Sequence, residues 1–224
     1  MKTSAIFFGF DLFGSAGSAE GARLLADELR EVLADNRRET VPTRARVYTR
    51  HVNVTDVEFE TLGALAGWRE KGRALAREAL QRGFLLWVAG NHLGALPVYD
   101  ELAKSDLVVQ FDAHLDIHHF RDCTTELSHG NFLLHVEGGP PAVVNVGHRE
   151  QLLTRDYIDR HYRRSFSAAD LAINGGAVLA EVRAMAGRAE RVYLDIDCDV
   201  FDPAYFPAVG RPVPFGWRRR TCCG

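Results

Sequence analysis

The sequence predicts an α/β protein built on a mostly parallel sheet. Short apolar runs alternate with helical patterns along the whole chain, as βαβ units do. In 224 residues, 46% hydrophobic and 25% charged residues supply one large core, which excludes intrinsic disorder, collagen-like repeats and coiled coil. Several predicted strands also end in histidine or aspartate, the position at which open α/β sheets bind ligands.

The elements follow in order. Ile6–Phe10 reads as a buried first strand, since Asp11 cuts the apolar run too short for a signal segment or a membrane span. A Gly/Ser loop leads to a helix whose Leu25, Leu29, Val32 and Leu33 recur at helical spacing and are expected to face the sheet. A second helix runs from about Leu62 to Arg82, with Leu65, Leu75, Ala79 and Leu80 inward and Gly83 as its stop. Phe84–Ala89 is an unbroken apolar strand of the kind covered on both faces. A helix starts near Pro97, and Leu107–Asp112 and Ala142–Gly147 are strands. A helix bearing Val178, Val182 and Met185 precedes the strand Arg191–Asp197.

A net charge of -3 gives no reason to expect a nucleic-acid or anionic-membrane partner. Cys123, Cys198, Cys222 and Cys223 show neither framework spacing nor a CxxC pair, which points to a reducing cytoplasm.

Chemistry concentrates at three strand exits. In Asp112-Ala113-His114-Leu115-Asp116, side chains at i, i+2 and i+4 of an extended segment share one face. Asp195, Asp197 and Asp199 do the same, and His92 follows the strand ending at Ala89. Like charges this close need compensation, and bound cations supply it. Imidazole and carboxylate donors without thiolate suit hard or borderline divalent ions such as Mn²⁺. A lone Asp-x-Asp at a strand end is more often a loop cap, as a lone histidine is more often structural. Two period-2 acidic clusters together with His92 shift the balance to a two-metal site. His118 and His119, directly beyond Asp116, fit supporting groups and exposed loop residues equally. His51, His135 and His161 read as structural or solvated.

The segment Asp112–Asp116 resembles the DAHxD motif of the ureohydrolases, the arginase, agmatinase and formiminoglutamase family. Gly90-Asn91-His92 resembles the family's GGDH, and Asp197-Cys198-Asp199-Val200-Phe201-Asp202-Pro203 its DxDxxDP. The resemblance implies a three-layer αβα fold with a mostly parallel central sheet. It implies two Mn²⁺ per chain, held by His92, Asp112, His114, Asp116, Asp197 and Asp199. His129, in Ser128-His129-Gly130-Asn131, matches the family histidine assigned proton transfer to the leaving amine, and Asn131 becomes a candidate substrate contact. Asn91, where the family has aspartate, Asp195 and Asp202 are expected to support the ligands. Leu152 stands about where arginases place an acid that holds the substrate's α-amino group, so arginine is not favoured. The family also implies a homo-oligomer, trimer or hexamer.

The last motif continues through a proline-rich segment, Pro207, Gly210, Pro212 and Pro214, after which the family would have a further helix and a central strand carrying a guanidinium-facing glutamate. Here Trp217–Gly224, with three arginines and two cysteines, does not resemble that continuation. The expectation is one incomplete arginase-like domain at 1–216 with an atypical tail at 217–224. The leading expectation for function is hydrolysis of a guanidino or amidino compound to urea and an amine. The alternative is a metal-binding but inactive homologue, and a weaker third is a dinuclear hydrolase of amide or phosphoester bonds.

Overall fold

The computed structural model describes residues 2–11, 17–36, 51–119 and 126–217; Cys123, Cys222, Cys223 and the tail beyond Trp217 lie outside them. Two compact units divide the chain at Glu101/Leu102.

The first unit holds a parallel sheet in the order β2-β1-β3, formed by β1 (Lys2–Phe8), β2 (Val52–Val57) and β3 (Gly83–Ala89). Alternation along β1 sends Ala5 and Phe7 to one face and Phe8 to the other. Ala5 and Phe7 meet Ala26 and Leu29 of α1 (Ser18–Asn36). The helix therefore docks through the stripe Ala22, Ala26 and Leu29, and the expected Leu25 and Val32 are exposed. Small alanines let the backbone approach the sheet closely, so a stripe of lower hydrophobicity than the leucines wins. On the opposite face, Phe8 packs against Phe59 and Trp87.

The expected helix over 62–82 is broken at Gly67 into α2 (Leu62–Ala66) and α3 (Trp68–Arg82). Trp68, Gly72, Ala76 and Ala79 are the buried stripe of α3. A Cβ at Gly72 would lie 2.7 Å from Pro97 of α4 (Leu96–Tyr99), so only glycine admits this contact. Arg69 forks onto Asp100, with contacts of 2.7 and 2.8 Å. Contrary to expectation, β3 is not covered on both faces: it pairs only with β1 among the described residues, and Phe84 and Leu86 are exposed.

The second unit is a parallel sheet in the order β6-β5-β4-β7, from β4 (Leu107–Phe111), β5 (Ala142–His148), β6 (Arg164–Ser167) and β7 (Val192–Ile196). One face carries Leu107, Val109, Val144, Val146 and Phe166, packed against Leu171 and Val178 of α6 (Ala168–Ala186). Ser167 and Asp170 form a reciprocal capping box at its start. On the other face the hydroxyl of Tyr162, directly after α5 (Arg155–His161), lies 3.0 Å from Gln110 Oε1. Helical segments thus serve both faces of parallel strands, as expected of a three-layer α/β protein. The first strand begins at Lys2 rather than Ile6, and β2, β6 and α5 were not expected from the sequence.

Candidate metal centre

Asp112 leaves the carboxyl end of β4 fully buried, flanked by β5 and β7. The main chain folds back at once, and the His114 N–H donates to Asp112 Oδ1 at 2.6 Å. From β7, Asp197 caps the short turn Cys198–Val200 by accepting the Asp199 N–H at 3.0 Å. This turn aims Asp199 at the first loop: its Oδ1 accepts the Ala113 N–H at 3.1 Å, and its Oδ2 lies 2.8 Å from His114 Nδ1. Asp112, His114 and Asp199 offer ligand atoms that all lie within 4.8 Å of one another. Asp116 is buried and adopts φ 45°, a left-handed conformation uncommon outside glycine and characteristic of functional loops.

Hydrogen bonds to Asp112 and then Asp199 raise the His114 pKa to about 10. Two buried carboxylates thus hold a proton on the imidazole, and a divalent cation would displace it. Carboxylate and imidazole donors with no thiolate fit a manganese-type ion.

The remaining expected residues fall as follows. His92 lies in the first unit, half-buried in the 3₁₀ turn His92–Ala95 after β3, and Asn91 caps that turn by accepting the Leu93 N–H at 2.8 Å. Asp195 is buried on β7 beside Gln110. Asp202 is buried, and its Oδ1 accepts the Ala204 N–H at 3.0 Å. His129 is exposed, on a loop joined to the first acidic loop by the His118 N–H donating to Gly130 O at 3.0 Å. Asn131 holds this loop together: its Oδ1 accepts from Ser128 N at 2.8 Å, and its Nδ2 donates to Glu126 O at 2.9 Å. Leu152 is exposed.

His118 is half-buried, its Nε2 3.3 Å from Glu150 Oε2, and burial pulls its pKa down. Three supports leave no signal in the sequence. Asn145 Nδ2 donates to His114 O at 3.0 Å, and the Tyr162 hydroxyl to Leu115 O, fastening the first acidic loop from beneath. Arg149 fastens the second.

Fold and site together define a parallel α/β protein with a carboxylate and imidazole cluster at the carboxyl ends of adjacent strands. The chain belongs to the Arginase family, whose sequence model matches residues 3–223. It is 28% identical over 185 residues to an arginase of Agrobacterium fabrum, covering 70% of this chain and 56% of that protein. It is 27% identical over 207 residues to an agmatinase of Photorhabdus laumondii, covering 89% of this chain and 65% of that protein. Arginase from Bacillus subtilis shares the fold with a TM-score of 0.74 at 21% identity, over 99% of this chain and 83% of the other. The chain spans about half the length of the first curated relatives it matches.

Proposed function

We propose that this chain is a manganese-dependent hydrolase of a guanidino or amidino compound, releasing urea and an amine from a guanidino substrate. The observation that carries the reading is the convergence of Asp112, His114 and Asp199 from two adjacent strand exits, in a chain of the Arginase family. His92, Asp116 and Asp197 complete the proposed ligand set for two Mn²⁺, His92 on the strength of its motif. When bound, such ions lower the pKa of water enough to furnish a nucleophile at neutral pH, and offset charge in the transition state.

The protein's own groups divide the rest. The carboxylates of Asp112, Asp116, Asp197 and Asp199 hold the cations and face the planar, positively charged guanidinium. His129, on an exposed loop, protonates the departing nitrogen, a task suited to an imidazole that gains and loses a proton near neutrality. Asn131 keeps that histidine's loop in shape, Asn91 caps the turn that presents His92, and Asp195 and Asp202, either side of Asp197 and Asp199 in the sequence, support those ligands.

The relatives carry names that differ in substrate, including arginase, agmatinase and the guanidinopropionase of Pseudomonas aeruginosa. The substrate class is therefore the guanidino group, with the tail open. Urea release from a panel of guanidino compounds, with and without Mn²⁺, tests the reading. Metal-dependent urea from one member supports it; tight Mn²⁺ binding with no product from any member favours a catalytically silent metal-binding homologue.

A further inference from the structure

Arg149 stands directly after β5 and touches both acidic loops. Its main-chain N–H donates to Ala113 O at 2.9 Å, inside the first loop. Its guanidinium reaches the second: Nη2 donates to Asp199 O at 2.6 Å and to Val213 O at 3.0 Å, and Nη1 to Val200 O at 3.0 Å and to Gly147 O at 3.1 Å. One side chain thus gathers four carbonyl oxygens from the β5 exit, the turn bearing Asp199 and the proline-rich segment.

Three features separate this from an ordinary buried arginine. All its side-chain hydrogen bonds go to carbonyls, so the positive charge lies near Asp199, Asp112 and Asp202 without occupying their carboxylate oxygens. Its Nε is buried with no acceptor, a cost that a lysine would not carry and that goes with the fixed fork of the guanidinium. The joined segments are also pressed together. Gly147 has φ 112°, and a Cβ there would lie 2.8 Å from Val200 Cγ2. Trp217 closes the far side by donating its main-chain N–H to Val200 O at 2.9 Å.

We propose that Arg149 is a positioning residue for the metal centre: its main chain and its guanidinium together set the separation of the Asp112–Asp116 and Asp197–Asp199 loops, and that separation governs divalent-cation affinity. The inference rests on the cation site proposed above. Outer groups that orient metal ligands typically change affinity about 10- to 100-fold when removed.

The test is Mn²⁺ titration of the purified full chain, read by loss of the free-ion electron paramagnetic resonance signal, for wild type, Arg149→Lys and Arg149→Ala. Near-ultraviolet circular dichroism reports folding of each. An ammonium keeps the charge but serves at most three acceptors from one point, so it cannot reproduce a fork onto four carbonyls. The expected result is a folded Arg149→Lys chain binding Mn²⁺ about tenfold more weakly than wild type, and Arg149→Ala about 100-fold more weakly. Saturating Mn²⁺ should restore urea release to the lysine variant, which loss of a catalytic group would not permit. A folded lysine variant with wild-type affinity overturns the proposal. Loss of folding in both variants overturns it as well, since Arg149 would then hold the fold rather than the ligands. Failure of wild type to bind Mn²⁺ is a different result and removes the cation site itself.

Discussion

Strands β4 and β7 are neighbours in one parallel sheet, in register from Leu107↔Val192 to Phe111↔Ile196, and each is followed by an acidic cluster. Their surroundings differ sharply. β4 is paired on both edges, and Leu107 to Gln110 are buried. β7 is paired only to β4 among the described residues, and on the face that α6 covers elsewhere Val192, Leu194 and Ile196 are 37%, 59% and 56% exposed. A ligand loop leaving a strand packed on every side inherits its rigidity. One leaving an edge strand does not, and must be held by links of its own. Arg149, the Ala113 N–H and the Trp217 main chain are those links.

The comparison breaks most visibly at the ligands. Asp112→Asn and Asp199→Asn should each lower urea release about a thousandfold or more, since metal ions supply several kcal/mol of transition-state stabilisation. A large loss for Asp112 alone would show that the β7 loop is not part of the site. Gly147→Ala should destabilise the protein by about 2–4 kcal/mol, from an unfavourable φ and an overpacked contact with Val200. Denaturant unfolding measures it.

Between the strands themselves, Val109→Ala should cost about 2 kcal/mol, for two buried methyl groups and the space they leave. Leu194→Ala, one register position across, should change stability by less than about 0.5 kcal/mol. Equal costs would mean that the face of β7 is covered in solution.

The smallest effect concerns pH. The Ser167 hydroxyl and main-chain N–H both donate to Asp170 Oδ2 at 2.8 Å, holding its carboxyl below the ordinary aspartate range. Because the folded pKa lies below the unfolded value, this stabilisation is present above about pH 4 and lost as pH falls through the folded pKa. The stability gap between wild type and Asp170→Asn should therefore stay constant from neutrality to about pH 5 and close below about pH 4.

The acidic loops were legible because their signal is local. Asp112, His114 and Asp116 recur within five residues directly after an apolar strand, which marks them as strand-exit groups; the extended alternation expected of them does not hold, because the chain turns at Asp112 and Asp116 adopts φ 45°. Arg149 was not legible, because its partners are main-chain carbonyls up to 64 residues away, and a carbonyl leaves no mark in a sequence. The unbroken apolar run of β3 points to two covered faces, yet Phe84 and Leu86 are exposed. An unbroken apolar run describes what a strand could bury, whereas its place at a sheet edge depends on pairing elsewhere in the fold. In α1, Leu25 and Val32 have helical spacing yet are exposed, because the inward stripe runs through Ala22 and Ala26, which let the helix approach the sheet.

The most direct single measurement is the number of Mn²⁺ ions held by the folded chain at equilibrium dialysis, alongside Asp112→Asn and Asp199→Asn. Two ions per wild-type chain, and reduced binding in both variants, is the predicted result. No bound manganese, or undiminished binding when Asp199 is changed, would contradict a centre shared by the two strand exits.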